Sequence, residues 1–382
     1  MSSRIFYACQ ALGFAPHGSG CVAGSGFCEL PGSGTHASGF ITAHGVQSVG
    51  LNTTFNLEQV FELGQLELYE NIEGIPDIEL TVQKVLDGYP LLYHLATPDA
   101  TAASLVGRSN QRCFAALNIY PDTNENASGT PSQQVGMSGL YVSALTYTLN
   151  VEGNSTEDVT LVGNDKVWAV TSGAQFHFTP TEFDSSDAPL SLTASGGVAR
   201  RENILMGSGC IMSDAGAVTS VNAISGISGV ASGSIWPVEI QGIDASGWNT
   251  ETSGAYNAHL QTVTISTDLG REELFELGRR GPYHRFVSFP TEVTCVIDIT
   301  SSEGDLIDAL ADPSSGSNLS NQKIFIYVEE GTQINLGAKN KLASVSYSGG
   351  DAGGGNVVVN MNYSNFNSLR VTHTQDPAGL AT

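Results

Sequence analysis

The chain has 382 residues, 41% of them hydrophobic and only 14% charged, and 44 are glycine. That length accommodates two or three domains with real cores, and the Gly-rich, charge-poor composition favours many short strands joined by turns over long helices. With 15 Lys and Arg against 38 Asp and Glu the net charge is −23, which excludes a surface that grips nucleic-acid phosphates through clustered cations.

Residues 1–40 are rich in Gly, Ser and Cys and read as an arm. The N-terminal MSSRIFYACQ lacks the apolar core of a signal peptide, and no apolar run reaches the ~18 residues of a membrane span. The expectation is a protein without a membrane segment, assembled in a cytoplasm, where sequons such as Asn126 and Asn154 carry no meaning. The six cysteines (Cys9, Cys21, Cys28, Cys113, Cys210 and Cys295) form no C-x-x-C pair, so reduced, mostly buried thiols are expected. Cys9, His17, Cys21, Cys28 and His36 have spacings that fit no common zinc module.

From residue 75 the alternation is plain. Ile78, Leu80 and Val82 point one way and Glu79, Thr81 and Gln83 the other, as in a half-buried strand. Residues 99–107 are predicted as a short helix with Asp99 as N-cap, and 121–137 as a loop. A hairpin follows. Leu145, Tyr147, Leu149 and Val151 alternate with Thr146, Thr148 and Asn150, the turn is Glu152-Gly153-Asn154-Ser155, and Val159 and Leu161 return. Residues 171–236 read as an irregular connector with room for two strands. Beyond it come a strand over 293–299, a short helix over 303–310, and a second hairpin. In that hairpin Val345 and Tyr347 cross a Gly-rich turn to Val357, Val359, Met361 and Tyr363.

The two halves echo each other. Residues 58–76 align without a gap on 272–290, 214 positions on, and seven of the nineteen positions match, among them Phe61/Phe275, Leu63/Leu277, Gly64/Gly278 and Tyr69/Tyr283. A second echo pairs 44–53 with 241–250 at an offset of 197. A repeat this long is domain-sized rather than a solenoid unit. The predicted organisation is a first domain over 1–170, including the arm 1–40, a connector over 171–236 and a second domain over 237–382.

Enzymatic signatures are absent: no G-x-S-x-G, H-E-x-x-H or P-loop pattern occurs. The Gly18–Gly24 stretch (GSGCVAG) reads as a loop, and carboxylate pairs such as Glu62/Glu67 are expected in any acidic protein. The basic doublets Arg200–Arg201 and Arg279–Arg280 read as salt-bridge or subunit-contact residues. No catalytic residue, metal or cofactor is expected.

The runs FNLEQVFELGQLELYENIEGIPDIELTVQKVLDGYPLLYHLAT (55–97), YTLNVEGNSTEDVTLVGNDKVW (147–168), LGREELFELGRRGPYHRF (269–286) and FPTEVTCVIDITSSEGDL (289–306) resemble the major tail tube proteins of bacteriophages. The resemblance covers roughly 40–170 and 237–365. It implies a mainly β fold, two tandem β-sandwich or barrel domains each with a short flanking helix and long hairpins. Six such domains would close a ring around a lumen. With two per chain, as in fused tube proteins, the ring would be a trimer. The implied function is structural: stacked rings form the virion's tail tube, assembled in the host cytoplasm and used for genome ejection into the bacterial host. Its partners would be further copies, other tail proteins at the tube ends, and DNA that passes without specific binding.

The residues agree with that reading. Hairpins with one small polar face suit a large barrel with a wet interior, and ring closure removes exposed edges. Glu79, Thr81, Gln83, Thr146, Thr148, Asn150, Ser344, Ser346, Asn360 and Asn362 are the expected lumen-facing set. Glu67 and Glu70 opposite Arg279 and Arg280 are the expected seam. Residues 1–40 and 171–236 are expected at ring-to-ring or domain-to-domain contacts. Two alternatives stand beside it: a capsid-decoration or adhesin β-protein, and a β-rich enzyme with a pocket of convergent polar groups.

Overall fold

The computed structural model describes residues 4–16, 41–121, 127, 131–170, 198–207, 209–212, 218–222, 259–278, 281–300, 321–328, 330–350 and 355–380. The chain is mainly β. A single 3-10 turn (Tyr7–Cys9) leads into β1 (Gln10–Pro16), which pairs with β2 (Ile41–Thr42). β3 (Val46–Thr54) feeds a projecting hairpin of β4 (Leu57–Phe61) and β5 (Leu68–Glu73), and β6 (Asp77–Val85) returns along β3. Two short helices follow, α1 (Leu92–Leu95) and α2 (Leu105–Ser109). Then come β7 (Cys113–Ile119), β8 (Gln133–Asn150), β9 (Thr156–Gly163) and β10 (Asp165–Val170).

The second half opens with another 3-10 turn (Arg201–Asn203), β11 (Ile204–Gly207), and the pair β12 (Gly209–Met212) and β13 (Val218–Asn222). β14 (His259–Asp268) feeds a hairpin of β15 (Arg271–Leu274) and β16 (His284–Val287), and β17 (Glu292–Thr300) returns. β18 (Phe325–Val328), β19 (Gln333–Asn335), β20 (Lys341–Ser348), β21 (Val358–Phe366) and β22 (Arg370–Thr372) complete it.

One antiparallel path runs through both halves in the order β3-β6-β9-β8-β14-β17-β21-β20. β8 makes this possible, because its 18 residues serve two layers. Its first part pairs with β7 and β10, its second with β9 and β14. The strand bends where the partners change: Gly139 sits at φ 63, and an extra residue interrupts the register between Val142 and Ala144, as β-bulges do. Most apolar faces converge on a main core that includes Phe14, Leu80, Leu145, Tyr147, Ile265, Cys295, Tyr363 and Val371, and a smaller cluster gathers Cys9, Ala11, Phe114 and Tyr120 on the other face of β1 and β7.

Several expectations need correction. The helix predicted over 99–107 is displaced. α2 starts at Leu105 with Ser104 as N-cap, whose Oγ accepts from the Gly107 N–H at 3.2 Å. The Leu105 N–H also donates to the Leu369 carbonyl at 2.9 Å, so a tertiary bond decides where the helix begins. Strand β8 takes up the end of the predicted loop 121–137. The helix predicted over 303–310 lies outside the described residues. Cys9, Cys113 and Cys295 are free, buried thiols, as expected.

A polar cluster lies beneath the apolar face. Glu157 accepts the N–H groups of Leu92 (2.6 Å) and Tyr93 (3.1 Å) and the Tyr147 hydroxyl (2.9 Å). Fully buried Arg108 pairs with Asp376 and donates to Thr97 Oγ1 at 2.8 Å. His94 Nε2 lies 3.3 Å from the Val371 carbonyl. Burial first, then the Arg108 charge, holds the His94 pKa well below 6.5. The unfolded chain therefore takes up a proton near pH 6.5 that the folded chain refuses. Stability present above that pH is lost as pH falls, by at most about 1.4 kcal/mol per pH unit from this group. Urea titrations from about pH 7 to 5 should show that decline, and His94→Gln should flatten it. An unchanged slope would assign the acid sensitivity elsewhere.

Candidate assembly surfaces

Opposed residues of a ladder share a face, so the register places the ten predicted lumen residues on one side of the long sheet. Thr81 opposes Thr160, and Gln83 opposes Asp158. Thr146 and Thr148 oppose Ser266 and Thr264, Ser344 and Ser346 oppose Asn362 and Asn360, and Asn360 opposes Asp298. Glu79 and Asn150 continue the same alternation on β6 and β8. Gln83 Nε2 donates to Asp158 Oδ1 (2.8 Å), Asn360 Nδ2 to Asp298 Oδ1 (2.7 Å), and Ser266 Oγ and Thr294 Oγ1 are 2.7 Å apart. Besides Lys341 at one end, the charges on this face are mostly carboxylates: Glu79, Asp158, Asp298 and Glu292. Thr156, Asp158, Thr160, Thr262, Thr264, Ser266 and Asp298 belong to the face too. The sequence reading passes over them as lumen candidates, although the same alternation marks them.

The halves join edge to edge. β8 and β14 pair from Asn150↔Thr262 through Tyr147↔Ile265 to Ala144↔Asp268. Arg285 of β16 donates to Asp77 Oδ1 (3.0 Å) and Asn164 Oδ1 (3.2 Å), and Arg271 Nε to the Val142 carbonyl (2.8 Å). Asp77–Arg285 is one charge pair between the halves, and Arg108–Asp376 is another. Glu67 and Glu70 lie exposed on the first hairpin, and Arg279 and Arg280 lie outside the described residues.

The arrangement recurs. The order β3-β6-β9-β8 is followed by β14-β17-β21-β20. Val49, Leu51 and Thr53 oppose Val82, Leu80 and Ile78, as Val263, Ile265 and Thr267, each 214 positions on, oppose Ile297, Cys295 and Val293. The register slips in both halves at equivalent places: between Val46 and Ser48 and between Leu260 and Thr262, then between Val142 and Ala144 and between Leu342 and Ser344. The second layer also recurs, with β1-β7-β8-β10 answered by β11-β18-β19-β22. β11 lies inside the stretch read as connector, yet it holds the place of β1 and follows the same kind of 3-10 turn. The echo over 241–250 lies outside the described residues, and β14 is the strand that occupies the place of β3.

Two features remain uncovered. Among the described residues β3 pairs only with β6, and β20 only with β21, so the long sheet ends in two free edges. Tyr347 on β20 is 55% exposed, whereas Tyr147 at the equivalent place on β8 is 0% exposed beneath β14. The hairpins are the second feature. Leu57↔Glu73 and Val60↔Glu70 recur as Arg271↔Val287 and Leu274↔His284. Both tips read Phe-Glu-Leu-Gly, with Gly64 and Gly278 at φ +99 and +85, a region that favours glycine. Leu63 and Leu277 at these tips are 103% and 105% exposed.

Among the described residues, no group of His, Cys, Asp and Glu could hold a metal, and no helix is long and apolar enough to cross a membrane. No protein-family model matches the chain, and no curated protein matches it. Solved structures give weak similarities. One is the cap that terminates the tube of the anti-feeding prophage, with 10% identity and a TM-score of 0.30 over 45% of this chain and 94% of that chain. Another is a chain of the anti-feeding prophage baseplate, with 13% identity and a TM-score of 0.30 over 44% and 98%. A third belongs to the sheath–tube complex of the extracellular contractile injection system PVC in its extended state, with 9% identity and a TM-score of 0.29 over 44% and 93%. At these scores the similarities carry no argument about family.

Proposed function

We propose that the chain is a structural tube protein, not an enzyme: two tandem copies of one β unit, three chains of which close a six-unit ring. The second unit would begin at the 3-10 turn Arg201–Asn203 rather than at 237. The observation that carries this reading is the internal join. β8 and β14 already pair edge to edge, and their counterparts β20 and β3 are the two free edges. An edge that ends in open pairing groups is a template for another chain, and the same contact repeated around an axis closes a ring. Transferring the β8·β14 register puts Tyr347 opposite Leu51 of the next copy, Val345 opposite its Thr53, and Ser348 opposite its Gly50.

In such a ring the polar face lines the lumen. Its charges are mostly carboxylates, which repel phosphates instead of clustering cations on them, so DNA is not gripped. Stacked rings would form the tail tube of a virion, assembled in the host cytoplasm, capped by other tail proteins and used for genome ejection. Electron microscopy of the purified protein should show rings or tubes. A compact oligomer that never polymerises would favour the decoration or adhesin reading instead. Thr148→Arg and Asn360→Arg should leave folding intact but place cations along the DNA path, so ejection should slow. If both variants misfold, the two faces of the sheet are reversed.

A further inference from the structure

We infer that each seam between copies carries an ion pair, Lys341 of one copy with Glu70 of the next, at the place where the internal join carries a neutral contact. This rests on the ring reading and deepens it. At the internal join the base of the second hairpin lies against the end of β8. The Tyr141 hydroxyl is 2.9 Å from His284 Nδ1, and the two aromatic groups meet edge to face with centroids 5.2 Å apart. The Arg271 guanidinium lies 5.1 Å from the Tyr141 ring centroid, and its Nε donates to the Val142 carbonyl.

Register gives each of these residues a counterpart. Tyr141 and Val142 of β8 oppose Val162 and Leu161, as Lys341 and Leu342 of β20 oppose Ser364 and Tyr363. Leu161 and Tyr363 are themselves matched, since they oppose Leu80 and Cys295. On the hairpins, Leu274↔His284 answers Val60↔Glu70, and Arg271↔Val287 answers Leu57↔Glu73. Lys341 is therefore the counterpart of Tyr141, Glu70 of His284 and Leu57 of Arg271. Repeating the internal join around the axis brings Glu70 of the next copy to Lys341.

The differences between join and seam are matched across the contact. Burial, then the charges of Arg112 and Arg271, lowers the His284 pKa from 6.5, so the Tyr141–His284 contact is neutral at pH 7. At the seam both partners are charged, with opposite signs. Only 15 of 382 residues are Lys or Arg, so composition alone seldom supplies a cation opposite a carboxylate. Leu57 removes the guanidinium that would compete with Lys341 for Glu70. Its side chain is 58% exposed in the single chain and suits the methylene stem of the lysine. Arg285, which pairs with Asp77 at the join, has Asn71 as its counterpart, and Asp77 has Glu292. Among these matched residues Lys341 is the one cation, and Glu70 and Glu292 are the carboxylates that flank it. The pair also sorts seams. β20 laid against β14 of another copy would set Lys341 beside Arg271, and β8 laid against β3 would leave Glu70 beside Tyr141 with no cation.

Lys341→Glu and Glu70→Lys, each alone, should raise the chain concentration for half-assembly into rings by about tenfold, because three like-charged contacts replace three opposite ones. Both side chains are exposed in the single chain, so urea midpoints of the unassembled variants should match the parent. The exchanged variant carrying both substitutions should assemble like the parent in a dilution series read by native mass spectrometry. An equal mixture of the two single variants should recover only in part, because three chains cannot alternate two kinds without one like-charged seam. Single reversals that assemble as the parent does, or an exchanged variant no better than the single ones, would overturn the inference. Full recovery in the mixture would support the pair but give the ring an even number of chains, against the three-chain reading. Parent protein that forms no rings would fail the ring reading itself.

Discussion

Tyr347→Asp should abolish ring closure while leaving the chain folded. The side chain projects from β20 on the apolar side, opposite Val359 of β21, and it is half exposed because, among the described residues, no strand pairs with that edge. Its counterpart Tyr147 shows what covering does: β14 buries it against Ile265, and its hydroxyl reaches Glu157. A carboxylate at 347 costs the isolated chain little. Ring closure would bury it in each of three seams with no cation opposite, and burying an unpaired charge costs several kcal/mol after relaxation. Light scattering at micromolar concentration should therefore report single chains, where the parent protein reports rings. Tyr147→Asp should instead unfold the chain, because that position is already interior. Rings from Tyr347→Asp at the parent yield would put the seam elsewhere.

Arg108→Met should destabilise the folded chain by about 3–5 kcal/mol, the usual cost of removing one partner of a buried ion pair. Arg108 comes from α2 in the first half and Asp376 from the C-terminal turn of the second, and both side chains are inaccessible to solvent. The pair holds the C-terminal segment against the first half, beside the Leu105–Leu369 backbone bond. Folded domains have only about 5–15 kcal/mol in total, so the loss should be plain in urea midpoints. Arg108→Met with Asp376→Leu should recover most of it, since an apolar pair of similar volume replaces a buried ion pair at little cost. A single variant within about 1 kcal/mol of the parent would mean that the buried carboxylate is satisfied by other groups.

Strand faces were legible in the sequence because alternation records burial directly. Ile78, Leu80 and Val82 are buried and Thr81 is exposed, as the pattern requires. The hairpin echo was legible too, because tips that share Phe-Glu-Leu-Gly share a turn that needs glycine. The recurrence of β1 in β11 was not. Gln10, Ala11 and Leu12 share no residue type with Leu205, Met206 and Gly207, which hold the matching register, and a buried strand accepts any apolar residue that fits its neighbours. The join between the halves was not legible for a related reason. Alternation gives the faces of β8 and β14 but not which strand lies beside each edge, and Asp77–Arg285 joins residues far apart in the chain. The helix shifted from Asp99 to Ser104 because its start depends on Leu369, which no local pattern reveals.

The most direct test of the account is the composition of one ring. Native mass spectrometry of single rings released from tubes should give three chains of 40.0 kDa. An averaged end-on view should show six lobes in two alternating kinds. Six chains with twelve lobes, or a chain that stays single under every condition in which it is folded, would contradict it.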